Sequence, residues 1–401
     1  MKNDFTSIIE RHGKDAVAVD PPKDSVYRKD ITVKDGLDHI PMWVADMNFP
    51  ACPAIIDAMA KRVSHPTYGY FEPREEYYSS IIRWHKTRNF VKGLKKEHIG
   101  YENGVLGGVV SALRVLCSEG DKVLVHAPCY VGFTGILQNN GFKAVHSWLK
   151  KDAEGVWRMD YEEMETLLAE EKIHAAIFCS PHNPTGRVWE RWEIEKAMEL
   201  YRKYDVYVIS DEIWSDMTLA GYQHIPTQSV SADARNRTVA MYAPSKTFNL
   251  AGLVGSYHII YNKWLRERVE KQSSLCHYND MNVISMHALI GAYRKEGHEW
   301  TDELKEVLTG NVEYAYEFIC KNFKGVTLSK PQGTYLLYLD CSEWIKKHKM
   351  TMDELLKKGY ECGVDWQDGR PFLMDNTIRM NLALPLSRVQ EAFARLKKYV
   401  F

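Results

Sequence analysis

Between about residues 100 and 260 the chain alternates short apolar runs with helix-length amphipathic stretches, and this rhythm confines it to an α/β fold. The runs are Val123–Val125, Ala175–Phe178, Tyr207–Ile209, Val239–Tyr242 and Tyr257–Ile260. They predict a mostly parallel sheet with helices against it. Between two of them, Trp192–Tyr204 carries Ile194, Ala197, Met198 and Tyr201 at helix spacing, which suits a helix packed on a sheet face.

The flanking regions read differently. Residues 1–48 are polar and irregular and form an arm expected to contribute to a small domain; a helix follows Pro50, with Ile55, Ile56 and Met59 at helix spacing. Residues 49–285 form the expected large α/β/α domain. Residues 286–401, with longer helical stretches around Tyr335–Leu339 and Ile378–Leu382, form a smaller α+β domain. There is no internal repeat and no Gly/Ser linker.

Charge narrows the choice of partner. Lysine plus arginine number 52 and aspartate plus glutamate 53, so nothing draws the chain to nucleic acid or to an anionic membrane, and a small molecule is expected. The eight cysteines are scattered, with no C-x-x-C pair and no Cys/His cluster at zinc spacing, which suits a reducing cytoplasm and no metal site. The N-terminal residues have no apolar signal-like core, and no run approaches the ~20 apolar residues of a bilayer span.

Polar motifs stand where the apolar runs stop, the position at which open α/β sheets bind ligands. Phe178 leads into Ser180-Pro181-His182-Asn183-Pro184-Thr185-Gly186, Ile209 into Ser210-Asp211-Glu212, and Tyr242 into Ala243-Pro244-Ser245-Lys246-Thr247-Phe248-Asn249. A fourth turn, Asn103-Gly104-Val105-Leu106-Gly107-Gly108, opens a helix. Taken singly, Asn-Pro-Thr-Gly is a turn, Asp211 a helix cap and Lys246 a surface lysine. Their order is what counts: Asn183 and Asp211 lie 28 residues apart and Asp211 and Lys246 lie 35, each interval holding one helix and one strand. Arg379 sits within an apolar run, where a guanidinium must face an anion or a buried ion-pair partner.

With these motifs the sequence resembles the fold-type I pyridoxal 5'-phosphate (PLP) enzymes of the aminotransferase superfamily, and within them the cystathionine β-lyase-type carbon–sulfur lyases. The matching segments are Pro41–Met47, Tyr68-Gly69-Tyr70, Ser180–Gly186, Ser210–Ile213, Ser245–Leu253, Gly333–Leu336 and Arg379-Met380-Asn381, of which the lysine segment is the most discriminating. The resemblance implies that Lys246 holds PLP as a Schiff base and shuttles the substrate proton, and that Asp211 keeps the pyridine nitrogen protonated. It also implies that Asn183 donates to the ring phenolate oxygen and that Tyr130 stacks on the ring. The phosphate would lie at the N–H groups of Val105, Leu106 and Gly107 with the Ser245 hydroxyl. Arg379 would clamp the substrate α-carboxylate, with the backbone of Trp43, Ala45 and Asp46 lining the same pocket. Tyr70 would reach the phosphate of a neighbouring subunit, which makes the protein a homodimer with shared sites.

Four departures from the pattern bear on specificity. Val254 replaces the phosphate-binding arginine of class I aminotransferases, and Trp214 stands where a tyrosine is common and has an N–H to give but no acceptor. Gly107 and Gly108 leave no side chain where related lyases carry a tyrosine, so a wider pocket is expected. The segment Gly363–Arg370 is unusual, and Asp365, Trp366 and Arg370 are expected to shape specificity. Three functions stay open at this point: a β-lyase releasing thiol, pyruvate and ammonia, an aminotransferase with racemisation as a variant, or a PLP-binding regulatory protein with weak lyase activity.

Overall fold

The computed structural model describes residues 1–21, 31–275 and 278–401; Cys276 lies outside them. The arm ends in a short strand, β1 (Ile40–Pro41). The next eight strands build the central sheet: β2 (Ile99–Asn103), β3 (Lys122–Ala127), β4 (Lys143–Lys151), β5 (Trp157–Met159), β6 (Ile173–Cys179), β7 (Tyr207–Asp211), β8 (Thr238–Tyr242) and β9 (Gly255–Ile259). Their order is β2-β9-β8-β7-β6-β3-β4-β5. The inner strands β8, β7, β6, β3 and β4 are parallel, whereas β9, β2 and β5 join antiparallel at the edges.

The apolar runs are unbroken because these strands are covered on both faces. Val123, Val125, Ile177, Ile209 and Val239 pack on one face in a core shared with Val109 and Leu113 of the helix Val105–Leu116. Leu124, Ala176, Phe178 and Val208 pack on the other with Ile194, Ala197, Met198 and Tyr201 of the helix Arg191–Lys203. All four of those helix residues are buried, as their spacing requires, and each large one contributes roughly 1.5–3 kcal/mol of burial. The helix after Pro50 runs Pro53–Val63 and buries Ile55 and Ala58, but Ile56 is 50% exposed and does not share their face.

The C-terminal part adds β10 (Leu336–Asp340), β11 (Val364–Asp365), β12 (Gln367–Asp368) and β13 (Thr377–Asn381). Strands β10, β13 and β12 form an antiparallel sheet in that order, and β11 pairs with β1 in parallel. The arm is thus tied to the C-terminal region, with Ile40 N–H donating to Gly363 O and Asn381 N–H to Met42 O. A helix of 28 residues, Lys295–Asn322, buries Trp300, Leu304, Leu308, Val312, Ala315 and Ile319 at three- and four-residue steps, in one core with Phe5 and Ile40 of the arm. Residue 285 falls inside the helix Val283–Ala292, which packs closely on Pro53–Val63: a Cβ on Gly291 would stand 2.6 Å from Ala54 O.

Candidate active site

Parallel pairing aligns the carboxyl ends of three neighbouring strands: Cys179 of β6 lies beside Asp211 of β7, and Asp211 beside Met241 of β8. The segments that follow them therefore meet in one crevice. Asn183, Asp211, Ser245 and Lys246 line a single cavity of about 430 Å³, together with Tyr130, Trp214 and Arg379. The site residues proposed from motifs 196 positions apart, Asn183 and Arg379, touch directly: Arg379 Nη1 donates to Asn183 Oδ1 at 3.1 Å.

One wall of the cavity is a backbone strap, residues 43–47, brought there by the β1–β11 pairing. Each of its carbonyls accepts a side-chain donor. Arg379 Nη2 donates to Trp43 O at 3.1 Å, and Asn381 Nδ2 to Val44 O at 2.7 Å and Asp46 O at 2.6 Å. Lys246 Nζ and the Tyr335 hydroxyl donate to Ala45 O at 2.9 and 3.0 Å, and Asn249 holds Met47 by both its N–H and its carbonyl. Trp43 and Ala45 line the cavity. Asp46 does not: its carboxylate pairs with Arg11 at 2.5 Å, because the arm folds back over the strap and satisfies that charge away from the crevice.

The opposite end is the start of the helix Val105–Leu116. Gly104, its N-cap, has φ +84°, a left-handed conformation that a side chain would strain, and it turns the chain from β2 into the helix at the cavity wall. First-turn N–H groups have no acceptor within the helix, so this end favours an anion. Val105 and Leu106 line the cavity, and a Cβ on Gly107 would point to the ring of Tyr278. The Tyr278 hydroxyl bonds Ser111 Oγ at 2.6 Å and donates to Gly107 O at 3.2 Å.

This packing corrects the expectation of a wider pocket. A Cβ on Gly107 would meet Tyr278 at 3.4 Å, and one on Gly108 would meet Glu102 Cγ and Met241 Sδ at 2.9 Å, so the two glycines admit neighbouring side chains and leave no extra cavity.

Burial sets the electrostatics. Asp211 is buried at the end of β7, and loss of water pushes its carboxyl up to about 6 despite the Ile213 N–H it accepts. Lys246 is pushed down to about 8, first by burial and then by the Arg379 charge. Burial raises the Tyr130 phenol as well. Beneath Asp211, burial works against ionisation of Glu212, but His224 Nε2 at 2.7 Å, the Tyr242 hydroxyl at 2.6 Å and the Thr227 N–H at 3.0 Å outweigh it and hold that carboxyl low. The network ties β7 to β8 and fixes the two strand ends that carry Asp211 and Lys246.

Trp214 is buried, edge-on to Tyr335 with ring centres 4.7 Å apart, and Lys246 Nζ lies 5.7 Å from the centre of its ring. Tyr70 is fully exposed and stands outside this chain's cavity. The specificity expectation for 363–370 also needs correction. Trp366 is buried, its indole N–H on Leu356 O at 3.2 Å; Asp365 is buried against His39 at 3.0 Å; Arg370 pairs with Asp353 and Asp368 at the surface. Gln367 is the residue of this segment that lines the cavity. A two-residue strand period would have placed it opposite the core-facing Trp366.

The arrangement offers an anion-binding helix end, a buried carboxyl, an amine of lowered basicity and a guanidinium around one cavity. Residues 40–396 match the family model described as aminotransferase class I and II. The chain is 34% identical over 364 residues to "Cystathionine beta-lyase PatB" of Bacillus subtilis, covering 90% of this chain and 92% of that protein. Among solved structures it is similar to PLP-containing cystalysin of Treponema denticola, with TM-score 0.89, 30% identity and 99% and 98% of the two chains covered. The PLP-bound C-S lyase of Staphylococcus hominis superposes with TM-score 0.89 at 28% identity, covering 100% and 99%.

Proposed function

The chain belongs to the class I and II aminotransferase family, and from its likeness within it to a cystathionine β-lyase we propose that it is a carbon–sulfur β-lyase, cleaving cystathionine-like or cysteine-conjugate amino acids to thiol, pyruvate and ammonia. Its cofactor is PLP. The residues fit that group: a helix end turned by Gly104 suits its phosphate, the buried Asp211 its ring nitrogen, and the lowered Lys246 amine its aldehyde. Ser245 would add a hydroxyl to the phosphate, Asn183 an amide to the ring oxygen, and Tyr130 and Trp214 aromatic faces. When bound, PLP supplies an electrophilic carbon for the substrate amine and a ring that draws electrons from the substrate α-carbon.

The protein residues then divide the work. Arg379 takes the α-carboxylate with both Nη groups, orienting the substrate. Lys246 Nζ removes the α-proton; with its basicity lowered by burial, it exists partly as neutral amine near neutral pH. Asp211 keeps the proton on the ring nitrogen, since a carboxylate in a buried site favours the charged partner beside it. The β-carbon–sulfur bond breaks with its electron pair on sulfur, and thiolate leaves with little acid assistance. Water completes the balance, turning the remaining fragment into pyruvate and ammonia.

The observation that carries this reading over amino transfer is the likeness along nine-tenths of the chain to a cystathionine β-lyase. The cavity agrees with it, because Arg379 is the single arginine among the described residues that line it and the rest of the wall is largely apolar. The test is product stoichiometry from L-cystathionine. Equal thiol, pyruvate and ammonia are expected; stoichiometric pyridoxamine phosphate and amino transfer to keto acids, without thiol, would replace the lyase by an aminotransferase.

The assembly is read as a homodimer with shared sites, supported by the exposed Tyr68 and Tyr70 and by Ile56 and Val63 on the helix before them. Among the described residues no helix is long and apolar enough to cross a membrane, and the seven described cysteines are unpaired, which supports placement in the cytoplasm.

A further inference from the structure

Gln367 stands directly opposite Arg379 in the antiparallel β12–β13 pair, and opposed residues of such a pair project to the same side. It lines the cavity with Lys246 and Arg379, and its side-chain carbonyl is buried without a hydrogen-bond partner among the described residues. A buried acceptor left unpaired is unfavourable, so one retained in a ligand cavity marks the place of a ligand donor. Its neighbours are committed elsewhere, Trp366 to the core and Asp368 to Arg370.

The substrate supplies few donors at this point. Its α-amino nitrogen is engaged at the cofactor, and its α-carboxylate has no hydrogen to give at neutral pH. The remaining donor must sit on the leaving-group half, beyond the sulfur. Leu106, Val131, Trp214 and Val254 of the wall carry no acceptor side chain, and the acceptors Asn183, Asp211, Tyr130 and Ser245 are those assigned to the cofactor.

Resting on the lyase reading, we propose that Gln367 determines specificity: its side-chain carbonyl accepts a hydrogen bond from an ammonium or amide on the sulfur substituent. The site thereby selects cysteine thioethers that carry such a donor over plain S-alkyl cysteines of the same size.

The experiment compares holoenzyme and Gln367→Leu on an isosteric pair, S-(2-aminoethyl)-L-cysteine and S-propyl-L-cysteine, following pyruvate release. Calorimetric dissociation constants for L-lysine and L-2-aminoheptanoate, the same two shapes without a leaving group, are measured alongside. In the variant, the aminoethyl-to-propyl ratio of kcat/KM and the corresponding ratio of affinities are expected to fall about tenfold or more. Gln367→Glu, which keeps an acceptor and adds charge, should keep or raise both ratios. Ratios in Gln367→Leu within about twofold of the parent overturn the proposal. If the parent releases no pyruvate from either thioether, the lyase reading fails on its own, and the affinity ratio still decides the role of Gln367.

Discussion

Lys246 Nζ donates to the carbonyl of Ala45 at 2.9 Å, tying the segment after β8 to a strap 201 residues earlier in the chain. Arg379 holds the carbonyl of Trp43, two residues before Ala45, in the same way. The two cations proposed to act on cofactor and substrate are thus held in place by backbone oxygens, which cost nothing in net charge and can be exchanged for a ligand's groups. Four consequences can be measured.

Lys246→Ala should fold and lose the borohydride-reducible cofactor adduct, as judged by the mass of the reduced peptide. Because the Lys246 amine is held near 8, below the ordinary lysine value, its neutral and nucleophilic form grows as pH rises through 8. Reconstitution of cofactor-free protein with PLP should therefore accelerate between pH 6.5 and 9 with a midpoint near 8, followed by absorbance. An adduct mapped to another lysine would remove Lys246 from its role.

Asp211→Asn should lower turnover on the order of a hundredfold or more while leaving PLP bound. It should also reveal a stability effect. The folded-state pKa of Asp211, about 6, lies above its ordinary 3.8, so ionisation disfavours the cofactor-free fold. That cost is absent below pH 4, grows as pH rises and is complete above about 6, reaching on the order of 3 kcal/mol. Cofactor-free Asp211→Asn is expected to melt above the parent at pH 7.5 and close to it at pH 4; equal melting at both would mean that the carboxylate is not strained.

Arg379→Lys replaces a planar fork by a point charge. Its kcat/KM should fall roughly 10- to 100-fold, mostly through KM, since the lost hydrogen bonds are charge-assisted and serve binding. A KM equal to that of the parent would exclude Arg379 from carboxylate recognition.

Tyr70, fully exposed in one chain, is expected to complete the site of a second. When Tyr70→Phe and Lys246→Ala subunits are mixed, each heterodimer then has one site with both lesions and one with neither. Activity above both parent variants is the expected result. Proven subunit exchange without recovery would place Tyr70 outside the shared site.

Much of this architecture was legible in the chain because it depends on short-range regularities. Continuous apolar runs mark strands covered on both faces, the spacing from Ile194 to Tyr201 marks a helix on a sheet, and polar motifs at run ends mark where parallel strands deliver ligand-binding groups. The edge strands β2 and β5, and β4 beside β5, are partly open to water, carry weaker periodicity and are not evident. Side-chain partners across long separations are another matter. Asp46 is directed to Arg11, Gly107 is covered by Tyr278, Trp366 is taken into the core, and Gln367 is left beside Arg379. Composition and local pattern determine which elements form and where their reactive ends lie; which charge is neutralised and which amide remains free to meet a substrate depends on the competition for partners once distant elements pack, and only the tertiary structure decides it.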